Sequence, residues 1–86
     1  MIESTVTIKW QHGLHMRPAS ELAKLCGTLG CQVKISYGES CVDAKSVLGL
    51  AMLAVPCGAT VKLFVTGDNE KAAHTALNEF FQADFD

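Results

Sequence analysis

The sequence of 86 residues contains no block of like charges and no long apolar run. Its formal net charge is −2, so it lacks the basic face by which proteins neutralise nucleic-acid phosphates. No stretch reaches the roughly twenty apolar residues of a membrane span. The first residues also lack the charged start and apolar middle of a signal peptide. We therefore expect a cytoplasmic protein that binds neither nucleic acid nor a membrane.

Closely paired cysteines are also missing. None of the four cysteines has the Cys-x-x-Cys spacing typical of zinc sites. A disulfide framework is the other common arrangement in so short a chain, but without a secretion signal free thiols are favoured. We therefore predict free thiols that the fold treats as small hydrophobic side chains. These residues are Cys26, Cys31, Cys41 and Cys57.

The length and the apolar content set the size of the fold. With 49% hydrophobic residues, a chain of 86 residues can bury one modest core. The sequence shows no internal repeat, linker or low-complexity segment. We predict a single domain over residues 1–86.

Apolar periodicity and turn residues predict seven elements in the order strand, helix, strand, strand, helix, strand, helix. The strands are predicted at 4–10, 31–37, 40–42 and 59–66, and the helices at 16–28, 43–54 and 70–83. Because the connections are short, the order favours a two-layer open-faced α/β (α+β) sandwich, with a four-stranded, mainly antiparallel sheet and three helices on one face. The residues expected to face the core are Val6, Ile8, Trp10, Ala19, Leu22, Ala23, Cys26, Leu29, Val33, Ile35, Val47, Leu50, Leu53, Val61, Leu63, Val65, Ala73, Ala76, Leu77 and Phe80.

Residues 13–20 read Gly-Leu-His-Met-Arg-Pro-Ala-Ser and predict a loop that turns into a helix. Pro18 suits the first helical turn, where its missing N–H group is not needed. His15 is then expected near the N-cap. The backbone N–H groups of Met16 and Arg17 would point outward beside its imidazole, at the positive end of the helix dipole.

These groups together are typical of a phosphate site built around a nucleophile. A neutral imidazole is a nucleophile near neutral pH. The helix start and the Arg17 guanidinium would stabilise a phosphoryl group on His15. A solvated loop histidine beside a surface cation is the alternative, but Gly13 and Pro18 argue against it. His12 is either a loop residue or a second imidazole that couples to His15.

The chain resembles the HPr family, the histidine phosphocarriers of the bacterial phosphoenolpyruvate-dependent sugar phosphotransferase system. The resemblance covers essentially all 86 residues. Residues 13–19 are similar to the family's phosphohistidine site. Residues 44–50, Ala-Lys-Ser-Val-Leu-Gly-Leu, are similar to the segment around its regulatory serine.

The resemblance implies that His15 accepts a phosphoryl group on Nδ1 from phosphorylated Enzyme I and passes it to Enzyme IIA domains. Such a protein is a stoichiometric carrier rather than an enzyme, needs no cofactor or metal, and is most simply a monomer. Partners would dock on apolar residues rimmed by basic ones around His15. The docking residues implied are Met16, Ser20, Lys24, Val47, Leu48 and Ala51.

Ser46 has two interpretations. It can be the N-cap of the second helix, which any serine there would provide. The resemblance also implies phosphorylation by HPr kinase/phosphorylase, which would place negative charge in the docking face and weaken Enzyme I docking. Two positions depart from the family pattern: Met16 stands where alanine or threonine is common, and Ala54 where a left-handed glycine is frequent.

Three alternatives stay open at this point. A regulatory carrier that signals nitrogen or carbon status would use the same histidine. A small metal-binding module could use His12, His15 and Met16. A docking module without phosphochemistry would keep the exposed helix face and make His15 dispensable. The third histidine, His74, is expected to face solvent on the last helix.

Overall fold

The computed structural model describes residues 1–84 and has the predicted order of elements. None of its helices is both long enough and apolar enough to cross a bilayer, as judged over those residues. The strands are β1 (Ile2–Thr7), β2 (Gln32–Tyr37), β3 (Ser40–Asp43) and β4 (Thr60–Thr66). The helices are α1 (Met16–Leu29), α2 (Val47–Met52) and α3 (Glu70–Gln82).

The four strands form one open sheet in the order β1-β4-β2-β3, and every neighbouring pair is antiparallel. Alternate residues of the central strand β4, Val61, Leu63 and Val65, are buried. Their neighbours along the strand point to the other, open face. The predicted open-faced sandwich of order βαββαβα is therefore confirmed.

The first strand lies earlier in the chain than predicted, at Ile2–Thr7 instead of 4–10. The apolar alternation does continue, because Ile8 and Trp10 are both buried. Ile8 exchanges backbone hydrogen bonds with Ala59 and Gly58 at 2.8 and 2.7 Å. The chain then bends into a turn, so the alternation of buried and exposed side chains continues beyond the end of β1.

The second helix is half as long as predicted and begins only after Ser46. Asp43 belongs to β3, where it pairs with Lys34. The Asp43 carboxylate also accepts a hydrogen bond from the backbone N–H of Lys45 at 2.9 Å. This local turn competes with helix formation, which is a common effect of aspartate at such positions. A pattern of apolar residues alone does not reveal it.

The last helix packs its aromatic residues against Trp10. The prediction placed Phe80 inward, but Phe81 is the more deeply buried of the two, at 3% exposure. The ring of Phe81 stacks on Trp10 with centroids 5.6 Å apart, and Phe80 meets the same indole edge-on at 5.7 Å. The indole N–H donates to the carbonyl of Ala83 at 2.6 Å. Trp10 thus fixes the end of α3 against the start of the loop that carries His15.

Two polar contacts join α3 to β1. The N-terminal ammonium of Met1 donates to the Glu70 carboxylate at 3.1 Å, and this bond lowers the pKa of Glu70 below its ordinary value. His74 Nε2 lies 2.8 Å from the hydroxyl oxygen of Ser4 in a partly buried position. The expectation that His74 faces solvent is therefore wrong, because helix α3 turns its ring toward β1.

All four cysteines are free thiols, as predicted, but their environments differ. Cys26 and Cys31 are buried, whereas Cys41 and Cys57 are exposed. The prediction that the thiols pack as small hydrophobic side chains is thus wrong for Cys41 and Cys57. Burial raises the pKa of the Cys26 thiol to about 11, and the negative charge of Asp43 adds to this effect.

We expect a short pulse of iodoacetamide at pH about 8 to label Cys41 and Cys57 and to spare Cys26 and Cys31, because only an accessible thiolate reacts quickly. Peptide mapping by mass spectrometry measures the sites. In strong denaturant all four should label alike. Rapid labelling of Cys26 in the folded protein would contradict the packing of α1.

Candidate functional site

Helix α1 begins as the sequence predicts, with His15 as its N-cap. The backbone of His15 is extended (φ −85°, ψ −174°), and its carbonyl accepts the first helical hydrogen bond from Ala19 N–H at 3.0 Å. Pro18 is the third helical residue and has no N–H group to lose. The imidazole therefore projects from the point where the loop becomes a helix.

The first turn of α1 presents hydrogen-bond donors at this point. The backbone N–H groups of Met16 and Arg17 precede the first intrahelical bond, so they have no acceptor within the helix. The side chain of Arg17 is exposed on the same turn. The positive end of the helix dipole adds to these groups, and together they favour an anion next to His15.

One ring nitrogen of His15 is enclosed by the protein. Its Nε2 atom is buried and has no hydrogen-bond partner in the described part of the chain. Nε2 is therefore closed to a partner molecule in this structure. In a neutral ring with its proton on Nε2, Nδ1 carries the lone pair.

A glycine holds the preceding loop close to the segment after α2. Gly13 is buried with φ 70°, and a Cβ atom there would lie 2.1 Å from the carbonyl oxygen of Val55. The next residue, Leu14, donates its N–H to that same oxygen at 2.9 Å. Gly13 N–H closes a turn onto Trp10 carbonyl at 2.8 Å. The loop is thus fixed on both sides of His12.

The segment after α2, which contacts this loop, contains a residue with a left-handed backbone. Ala54 has φ 52°, and it is the one residue other than glycine with positive φ within residues 1–84. The left-handed conformation expected of a glycine is therefore kept by alanine, at a cost of about 1 kcal/mol. It turns the chain so that Val55 meets Leu14.

His12 lies next to His15. The two ring centroids are 5.8 Å apart and the rings are nearly perpendicular, at 86°. His12 is exposed, whereas His15 is partly buried. The structure thus brings the two imidazoles together, which the interpretation of His12 as a second imidazole coupled to His15 requires. Within residues 1–84 no group of three or more His, Cys, Asp or Glu side chains is placed to hold a metal ion.

Exposed apolar side chains lie on α1, directly after His15, and on α2, which contacts α1; after its predicted role we call this set with its polar neighbours the docking face. Its exposed members Met16 and Leu48 were predicted, and both stand well out of the surface at 57% and 69% exposure. Met52 was missed, although it is 75% exposed and lies one turn after Leu48. The i, i+4 spacing within α2 was the available signal. The remaining predicted members are exposed Lys24 and partly buried Ser20, Val47 and Ala51.

Ser46 is the N-cap of α2. Its Oγ atom accepts a hydrogen bond from the backbone N–H of Gly49 at 3.0 Å, and the residue is exposed. The capping interpretation is confirmed. Its position places any added charge directly before Val47 and Leu48 of the docking face.

The family model described as "PTS HPr component phosphorylation site" matches residues 2–83. The chain belongs to the HPr family. HPr proteins are phosphocarriers of the phosphotransferase system. The partners of HPr proteins in this system include Enzyme I and Enzyme IIA domains. The similarity to this family that the two sequence motifs indicated is confirmed.

Individual HPr relatives agree over nearly the whole chain. Phosphocarrier protein HPr of Cupriavidus necator is 42% identical over 77 residues, which cover 90% of this chain and 86% of the relative. Phosphocarrier protein NPr of Shewanella violacea is 39% identical over 85 residues, covering 99% and 93%. The crystal structure of HPr-C-His from Thermoanaerobacter tengcongensis superposes with a TM-score of 0.89 at 35% identity, covering 95% of this chain and 92% of that one.

We expect Gly13→Ala to unfold the site, because it adds both a clash with Val55 and a strained backbone. The free energy of unfolding should fall by about 2 kcal/mol or more. Gly27→Ala is the matched control, since Gly27 lies within α1 and a Cβ there meets nothing within 4 Å. That change should raise the free energy of unfolding by about 0.5–1 kcal/mol. Urea denaturation measures both, and equal effects would contradict the close approach at Gly13.

Proposed function

We propose that this protein carries a phosphoryl group on Nδ1 of His15, taking it from phosphorylated Enzyme I and passing it to an Enzyme IIA domain. The observation that carries the proposal is the buried Nε2 atom of an imidazole at the N-cap of α1. Because Nε2 is closed to a partner, the proposal assigns the reaction to Nδ1.

The transfer requires little chemistry from the protein beyond position and charge. The Nδ1 lone pair forms a bond to phosphorus as the bond between phosphorus and the donor breaks. The ring keeps its proton on Nε2, so His15 needs no proton acceptor during the step. The second transfer reverses these events toward the next acceptor.

The helix start and Arg17 then stabilise the phosphoryl oxygens. The backbone N–H groups of Met16 and Arg17 are donors at a positive helix end, and the guanidinium is a further charged donor. We assign His15 the role of phosphorylated nucleophile and Arg17 that of phosphate stabilisation. Neither role requires a metal or cofactor in this protein.

Docking brings the partner's reacting group to Nδ1. The exposed side chains of Met16, Leu48 and Met52 give an apolar surface, and Lys24 supplies a positive charge at its edge. Such a surface suits a transient contact with successive partners. A cytoplasmic monomer would leave this face open to each of them in turn.

The branch that the carrier serves has two candidates. The relatives include proteins named HPr and one named NPr, and the NPr relative matches 99% of the chain. We propose sugar uptake, with the nitrogen- or carbon-signalling branch as the alternative. Phosphorylation assays with the two corresponding forms of Enzyme I from the same cell would distinguish them by rate.

Incubation with Enzyme I, magnesium and phosphoenolpyruvate should add one acid-labile phosphate to the native chain and none to His15→Ala. Intact-mass analysis measures the addition. Arg17→Ala should keep the modification but slow its formation about tenfold or more, because a charged donor to the phosphoryl group is lost. Phosphate that persists in His15→Ala would contradict the proposal.

Ser46 is a second candidate modification site, for a regulatory kinase such as HPr kinase/phosphorylase. The support is its exposure and its position before Val47 and Leu48. A phosphate there would place negative charge on the docking face. Phosphorylated Enzyme I approaches this face with its own anionic phosphoryl group, so the two negative charges would repel each other. The capping hydrogen bond to Gly49 can be kept by a phosphate oxygen or by a carboxylate.

Ser46→Asp and Ser46→Asn form a matched pair, because both residues are good N-caps and only the first adds charge. We expect Ser46→Asp to raise the KM for phosphorylation by Enzyme I several-fold and Ser46→Asn to leave it near the native value. Steady-state kinetics with varied carrier concentration measure both. Equal KM values for the two variants would argue against charge control at this position.

A further inference from the structure

The exposed methionines are unevenly placed around the molecule. The large apolar side chains that are exposed within residues 1–84 are Met1, Met16, Leu48 and Met52. Met16 begins α1, whereas Leu48 and Met52 lie on α2, and the two helices contact each other. Met1 lines a groove of about 310 Å³ on the open face of the sheet, with Lys34, Phe64 and Thr66 among its neighbours. Two of the three methionines therefore lie on the docking face.

We propose that Met16 and Met52 are sites of reversible oxidation, and that conversion of their thioethers to sulfoxides weakens the docking of Enzyme I. The inference rests on the proposed function. It assigns a redox sensitivity to the same face that presents His15.

The chemistry requires a two-electron oxygen donor, such as hydrogen peroxide. The thioether sulfur attacks one peroxide oxygen, a sulfur–oxygen bond forms, and the oxygen–oxygen bond breaks. The sulfur is oxidised by two electrons, and the departing hydroxide takes a proton to become water. Methionine sulfoxide reductases reverse the change with electrons from thiols. Exposures of 57% and 75% leave both sulfur-bearing side chains open to such an oxidant.

The effect on docking follows from burial of the new oxygen. A thioether is apolar and adapts its shape to different partners, which suits a face that meets several proteins. A sulfoxide oxygen is a strong acceptor, and its burial in an apolar contact leaves it without water or a donor. Met16 directly follows His15 in the chain, so its oxygen would lie where the partner must come nearest. Leu48, the other exposed apolar residue of the docking face, has no sulfur atom to oxidise.

The test uses a Cys41→Ser, Cys57→Ser background, because the two exposed thiols also react with peroxide. The protein is treated with hydrogen peroxide, the sulfoxides are located by peptide mapping, and phosphorylation by untreated Enzyme I is measured. We expect KM for the carrier to rise about tenfold or more and kcat to change little. The hydrolysis rate of the phosphohistidine should stay the same, since the oxidised atoms act on docking and not on the phosphoryl group. Treatment with methionine sulfoxide reductases should restore KM.

Met1 supplies the internal control. In a variant that adds Met16→Leu and Met52→Leu, peroxide can convert only Met1, which has similar exposure but lies on the open sheet face. The KM of that variant, compared before and after oxidation, should not change. An unchanged KM after complete oxidation of the three methionines would overturn the proposal. An equal rise in KM on oxidation of the Met16→Leu, Met52→Leu variant would also overturn it. Failure of the reduced protein to accept phosphate would instead contradict the proposed function.

Discussion

The close contact between the His15 loop and the segment after α2 determines where the imidazole stands. Gly13 lies so near the Val55 carbonyl that no side chain fits between them. Leu14 then uses the same carbonyl as its acceptor. Because a buried amide without a partner is costly, this hydrogen bond fixes the register of the loop against the rest of the fold. His15 follows at once, so its direction is set by two backbone contacts one and two residues away.

That contact depends in turn on elements distant in the sequence. Trp10 closes the loop turn with its carbonyl and anchors it through its indole, which packs on Phe81 of α3. On the other side, the left-handed backbone of Ala54 directs Val55 toward the loop. The segment after the first strand, the last helix and the segment after α2 therefore meet at the base of the site. A small fold can hold a side chain in position in this way without devoting a large core to it.

The sequence predicted the parts of this arrangement that depend on local chemistry. Pro18 and His15 indicated the start of α1, and Ser46 indicated the start of α2, because capping and first-turn preferences act over a few residues. The length of α2 was wrong, since a turn made by the Asp43 carboxylate competes with the helix. The choice of Phe81 over Phe80 depends on how α3 rotates against Trp10, and periodicity does not determine that rotation to within one residue. Met52 was missed for a related reason, because a short helix leaves part of its apolar set outside.

The burial of His15 Nε2 required coordinates, because burial of one ring atom has no signature in an amino-acid sequence. The role proposed for His15 sets a further physical requirement. A carrier must hold its phosphoryl group firmly enough to protect it and loosely enough to release it, so strong stabilisation would impede the second step. In the proposed carrier the helix start would supply partial charges, and the exposed Arg17 side chain would interact with the phosphoryl group through a strongly screening solvent. A partner that covers the docking face removes that water and strengthens the same interactions. Under the proposed function, the affinity of the site for a phosphoryl group would therefore depend in part on the docked partner, which is what a molecule that both receives and gives requires.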